Sequence, residues 1–221
     1  MTRFFLGITG ASGHRYAERL LAALVDAGHD VDVAITEAGV KVMRHELDAD
    51  PGARGERIVE AFERRLCRPL AGAVRGFRSD AIEAPPSSGT SLVGGAILCP
   101  CSMGTLARVA AGFSSNLVER AADVALKEGR PLVLVPRETP LSAIHLENLL
   151  RLARLGAIVL PAMPGFYHRP ERVEDLVDHV VGKVLDRLRV EHAVGARWKG
   201  IPRPPEDAGA ARGEPSGEDA P

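Results

Sequence analysis

The stretch FFLGITGASG, residues 4–13, carries an apolar run straight into a turn of glycine and serine, and an amphipathic segment over 16–27 follows at once. A strand delivered into a helix through so short a turn must pack that helix back onto its own sheet. That is the beginning of a parallel α/β layer. The turn also carries chemistry. A helix N-terminus directs free N–H groups and a partial positive charge at whatever lies above it. Gly10 and Gly13 permit close backbone approach and Ser12 adds a hydroxyl, so the turn predicts a phosphate contact.

The same rhythm recurs along the chain. Residues 31–35 alternate Asp with Val and Ile as a second strand ending at Thr36, and 37–47 space Val40, Met43 and Leu47 as a helix. A short buried strand over 96–98 precedes helices over 104–111 and 116–127. PLVLV, 131–135, reads as a strand covered on both faces. A helix over 142–155, a buried strand over 157–160 and a helix over 173–188 complete the pattern. About five strands alternating with helices predict a doubly wound parallel sheet, Rossmann/flavodoxin-like, in a single domain. Ligands of such sheets sit beyond the carboxyl ends of strands. The polar residues there are Ser12, Thr36, Ser102, Arg137 and Glu138, with the Met163–Pro164 segment nearby.

Two segments break the rhythm. Residues 48–78, charged and rich in glycine, read as a solvated excursion carrying one helix over 57–66. Residues 202–221 lack apolar anchors and read as a disordered tail, which leaves 1–200 as the domain.

Composition excludes several classes. A net charge of −1 offers no field to recruit nucleic acid or an anionic membrane, and 4% aromatic content is poor for base stacking. Cys67 has no evident partner, while Cys99 and Cys101 form C-x-C after an apolar run and read as buried hydrophobes, not as metal ligands. With no leader and no apolar run of spanning length, a cytoplasmic protein is expected. His14, His145 and His168 read as lone exposed histidines.

Five strings in order, GITGASG (7–13), SSGT (87–90), CPCSMGTLA (99–107), NLVERAADVALKEGRPLVLVPRETPLS (116–142) and PAMPGFYHRP (161–170), closely resemble the UbiX-type flavin prenyltransferases. The resemblance covers about residues 3 to 200, without 48–78 and the tail. It implies transfer of a dimethylallyl group from dimethylallyl phosphate to reduced FMN, giving the prenylated flavin used by a UbiD-type decarboxylase. It also implies a large homo-oligomer, often a dodecamer, with sites near subunit contacts, and no metal. Gly10, Ala11, Ser12, Thr36, Ser102, Met103, Gly104, Thr105 and Arg137 then match the FMN cradle. Ser87, Ser88, Gly89, Thr90, Arg120, Lys127, Tyr167 and Lys183 match positions round the prenyl phosphate, with Trp198 close by. Glu46 and Glu138 match the acids that manage protons, and Lys127 and Ser87 join them as catalytic candidates. One departure stands out: Gly104 replaces a lysine common in the family, removing a charge from the flavin turn. An FMN-dependent cysteine decarboxylase, with Asn116 in a comparable region, and a non-catalytic flavin carrier are the alternatives. A nicotinamide-dependent reductase is disfavoured, because neither Tyr16 nor Tyr167 has a lysine four residues on.

Overall fold

The computed structural model describes residues 1–70, 72–91, 94–198 and 200. Six strands, β1 (Arg3–Ile8), β2 (Asp30–Ile35), β3 (Val74–Phe77), β4 (Ala96–Cys101), β5 (Leu132–Pro136) and β6 (Ile158–Val159), form one parallel sheet in the order β3-β2-β1-β4-β5-β6. β1 sends Phe4, Leu6 and Ile8 to one face and Phe5 to the other. Both faces are covered, as a central parallel strand requires. Helices α1 (His14–Asp26), α2 (Glu37–Leu47), α3 (Ile58–Leu66) and α7 (Val173–Arg187) pack against the Leu6 face. Helices α4 (Met103–Ala110), α5 (Leu117–Lys127) and α6 (Ala143–Arg154) cover the Phe5 face.

From β1 the chain moves outward to β2 and β3, then returns to lay β4 on the opposite side of β1. The connections therefore diverge above β1 and β4, and the cleft between them is where a doubly wound sheet binds its ligand.

Residues 48–78 differ from the expected excursion. They supply α3 and the edge strand β3, whose Val74 pairs with Val31, and they bury Ile58, Phe62, Leu70 and Val74. Arg75 of β3 also clamps the buried Asp32 with two bonds of 2.8 Å, and Arg3 adds a third at 2.9 Å. β3 is only four residues long and buries Val74 alone, so VRGF shows little alternation. At the other edge β6 spans two residues and is half-buried, shorter and more open than expected.

Cys99 and Cys101 are buried and Cys67 is exposed. Burial pushes the Cys101 thiol up to about 12 and raises that of Cys99 as well. Among the described residues no helix is long and apolar enough to cross a membrane, and no group of three or more His, Cys, Asp or Glu is placed to hold a metal ion. The tail, 202–221, lies outside the described residues.

Candidate active site

The carboxyl edge of the sheet gathers most of the flavin-side candidates. Gly10 to Ser12 follow β1, Thr36 ends β2, Ser102 to Thr105 follow β4 and Arg137 follows β5. Two of the hydroxyls start helices. Thr36 accepts from the N–H of Gly39 at 3.1 Å to cap α2, and Ser102 accepts from the N–H of Thr105 at 3.3 Å to cap α4. Buried Thr9 ties the two turns together: its hydroxyl donates to the Pro100 carbonyl at 2.8 Å and accepts from the Ser102 N–H at 2.7 Å. Arg137 reaches across to donate to the Ser12 carbonyl at 3.3 Å.

A cavity of about 390 Å³ opens between these turns, lined by Gly10, Thr36, Ser102, Thr105, Arg108 and Asn116 among others. That volume falls in the range of small-molecule and cofactor sites. A Cβ at Gly10 would come 2.7 Å from the Ala38 Cβ, so only glycine fits this wall. Gly104 is open: the one atom near a side chain built there is a guanidinium nitrogen of Arg108, at 3.7 Å. Arg108 thus brings a positive charge beside the turn from which the lysine is missing. Its Nε is bonded to Glu119, a carboxylate that is fully buried and also accepts from the Ser115 N–H at 2.9 Å.

Arg108, Thr9 and Glu119 escaped the sequence reading. The pattern Asn116-x-x-Glu119 is a helix-start signature, and Asn116 does cap α5 by accepting from the Glu119 N–H at 3.0 Å. Nothing in the spacing identifies Arg108 as the partner.

The N-terminus of α1 holds a carboxylate of the chain itself. Glu46 accepts from the N–H of Gly13 at 2.9 Å and from that of His14 at 3.0 Å. Burial pushes this carboxyl up, but hydrogen bonds from Ser12, His14 and Gly13 outweigh it and hold the group below its ordinary value. His14 is buried, contrary to the expected exposed ring, because the first turn of α1 tucks under the strand ends. Its Nε2 lies 3.0 Å from the Thr9 carbonyl, and desolvation lowers its pKa despite that bond and nearby Glu46.

The remaining candidates fall into two further groups. Tyr167, Lys183 and Trp198 share a small cavity between the 165–168 turn, α7 and the chain after it. Lys127 closes α5, 3.4 Å from the Glu128 carboxylate, and Gly89 packs against that same glutamate, so the 87–90 loop sits beside it. Within that loop the Ser88 and Thr90 hydroxyls are 3.0 Å apart. A helix that precedes a parallel strand ends at the amino edge of the sheet. Lys127, which precedes β5, and Arg137, which follows it, therefore lie at opposite ends of the sheet. Arg120, one turn into α5, pairs with Asp123 at 3.0 Å. Glu138 accepts from the neighbouring Thr139 N–H at 3.2 Å and makes no ion pair with Arg137. His145 caps α6 reciprocally with Ser142, and His168 is half-buried, stacked on His179.

Residues 1–185 match the Flavoprotein family. The flavin prenyltransferase UbiX of Pseudomonas aeruginosa is 50% identical over 196 residues, covering 89% of this chain and 93% of that protein. The crystal structure of AnUbiX (PadA1) in complex with FMN and dimethylallyl pyrophosphate superposes with a TM-score of 0.80 at 36% identity, covering 91% of this chain and 99% of that one. A dodecameric FMN-dependent UbiX-like decarboxylase from Escherichia coli O157:H7 superposes with a TM-score of 0.76 at 40% identity, over 90% and 100% of the two chains.

Proposed function

The chain belongs to the Flavoprotein family and has the activity of a flavin prenyltransferase, and from that premise we propose that it moves a dimethylallyl group from dimethylallyl phosphate to reduced FMN. The observation that carries this reading is the switch-point cavity, lined by the hydroxyls of Thr36, Ser102 and Thr105 and by Arg108, with glycine at position 10 where a side chain would collide with Ala38. Residues 1–200 form the catalytic domain.

Gly10, Ala11, Ser12 and Thr36 hold the phosphate and ribityl end of FMN, and Ser102 to Thr105 with Arg137 hold the ring. The Thr36 oxygen already accepts from Gly39, so its own hydrogen is available to a phosphate oxygen. Arg108 supplies the charge absent at Gly104. Bound reduced FMN supplies a nucleophilic ring nitrogen for the allylic carbon. The chain's task is the leaving group, a phosphate that gains charge as the allyl–oxygen bond breaks. Tyr167, Lys183, Arg120, Lys127 and the hydroxyls of Ser87, Ser88 and Thr90 neutralise it, with Gly89 letting the backbone approach and Trp198 closing the wall. Glu46, held ionised by its donors, stands as a charged carboxylate with a reduced affinity for protons. Glu138, whose carboxylate is bonded only to its neighbour among the described residues, is the freer of the two acids.

Because Lys127 and Arg137 lie at opposite ends of the sheet, one site draws them from different copies of the chain. Apolar side chains left in the open on α6, Ile144, Leu146 and Leu150, with Phe166 beyond it, supply a surface for such contacts. We take the assembly to be a dodecamer in the cytoplasm that passes its product to a UbiD-type decarboxylase. The test is mass spectrometry of FMN after anaerobic incubation with reductant and dimethylallyl phosphate. A flavin heavier by one dimethylallyl group is expected, and FMN that binds but is recovered unchanged would overturn the reading.

A further inference from the structure

The small cavity that brings Tyr167, Lys183 and Trp198 together contains a side chain with no role so far, His179 of α7. We infer that His179 is a positioning residue that turns the Tyr167 hydroxyl hydrogen toward the phosphate of the allylic substrate. This rests on the proposed placement of that phosphate at Tyr167 and Lys183.

The hydrogen bonds leave one arrangement. The Gly165 N–H lies 3.1 Å from Nδ1 of His179, and a backbone N–H can only donate. Nδ1 therefore accepts, and a neutral imidazole must carry its hydrogen on Nε2. Nε2 stands 2.9 Å from the Tyr167 oxygen, so the ring donates and the phenol accepts. The phenol's own hydrogen is then directed away from His179. Tyr167 is held edge-on by three rings: His179 at 5.5 Å, His168 at 5.6 Å and Trp198 at 5.1 Å between centroids. His168 in turn stacks on His179 at 5.3 Å and 12°. Lys183 follows His179 by one helical turn and lines the same cavity. A fixed O–H donor and an ammonium that share one space suit a phosphate monoester.

The arrangement survives only while His179 is neutral, since a protonated ring would set Nδ1–H against the Gly165 N–H. Burial first, then the neighbouring His168 and Lys183, lower its affinity for a proton. The other charged groups round the cavity are tied elsewhere. Asp178 is bonded to Arg19 of α1 at 2.5 Å, and Asp186 is bonded to Arg197 at 2.9 Å and to His192 at 3.2 Å.

Trp198, the one tryptophan of the chain, reports on the cluster without any ligand. Its fluorescence in the full-length protein, free of added flavin, is expected to pass through a transition with a midpoint below the ordinary histidine value. His179→Phe should remove the transition, and His168→Gln should keep it. At neutral pH His179→Phe should raise KM for dimethylallyl phosphate about 5- to 10-fold, the scale of one hydrogen bond, with kcat changed less than about 2-fold. His179→Gln can accept from Gly165 and donate to Tyr167 but cannot titrate, so it should keep the KM and lose the acid dependence. A transition that persists in His179→Phe, or a Phe variant with the unmodified KM while Tyr167→Phe is impaired, overturns the inference and leaves the proposed site standing. A Tyr167→Phe variant with unmodified kinetics instead removes the placement on which the inference rests.

Discussion

Two inactive variants should restore each other when mixed. Lys127 closes the 11-residue α5, and at ~1.5 Å per residue that helix carries it about 16 Å from the α5 start near the carboxyl edge. The five residues of β5 then return the chain by about 16 Å before Arg137, at ~3.3 Å per residue. Within one copy the two cations thus face opposite edges of the sheet, and a shared phosphate must take them from different copies. Lys127→Ala and Arg137→Ala should each lower turnover by about 10²–10³, the scale of removing one preorganised charge donor. If the two variants are co-expressed and their copies mix at random, about one quarter of sites pair an intact Lys127 with an intact Arg137, so about one quarter of normal activity should return. The assay is the rate of prenylated flavin formation by mass spectrometry, on assemblies carrying one tag for each variant. A mixed assembly no more active than its parents would refute the separation of the two residues between copies.

Other outcomes are equally direct. Arg108→Met leaves the buried Glu119 carboxylate with the Ser115 N–H as its one donor among the described residues; because Arg108 is itself half-exposed, a loss of about 2 kcal/mol is expected in denaturant melts, together with weaker FMN binding by flavin fluorescence quenching. Gly10→Val should abolish FMN retention through its collision with Ala38 while circular dichroism stays unchanged. The Glu46 pKa is depressed on folding, so its stabilisation is present above the unfolded carboxyl value and is lost as pH falls through the lower folded value. Glu46→Gln should therefore melt below the wild type at pH 7, and the gap should close on acidification; a gap that stays constant from pH 7 to pH 3 would count against the hydrogen-bonded carboxylate.

The parts of the fold legible in the chain were those in which local and tertiary preferences agree. The 37–47 helix was readable because Thr36 caps it and Val40, Met43 and Leu47 repeat at helical spacing. β1 and β5 are apolar on both faces because helices cover both. β3 was hidden, since an edge strand can expose Arg75 and spend it on Asp32, a contact across 43 positions that no window sees. His14 misled for a related reason: it precedes the periodic part of α1, and its contact with the Thr9 carbonyl does not show in apolar spacing. The flavin-side candidates could be placed because strand ends are visible in one dimension. The position of Lys127 at the other end was also implied, as a helix leading into a parallel strand has to finish at the amino edge. The aromatic and histidine cluster at Tyr167 was not, because its members come from a turn, a helix and the chain beyond it.

Glu46 at the head of α1 has a consequence for the catalytic cycle. In the proposed cycle, a flavin that arrives as one molecule and leaves as another cannot be the keystone of the turn assigned to grip it, or the grip would slacken at every departure. By seating an acid of its own on the Gly13 and His14 amides, the chain keeps that turn in shape between guests. Exchange of flavin can then proceed without refolding the mouth of the site.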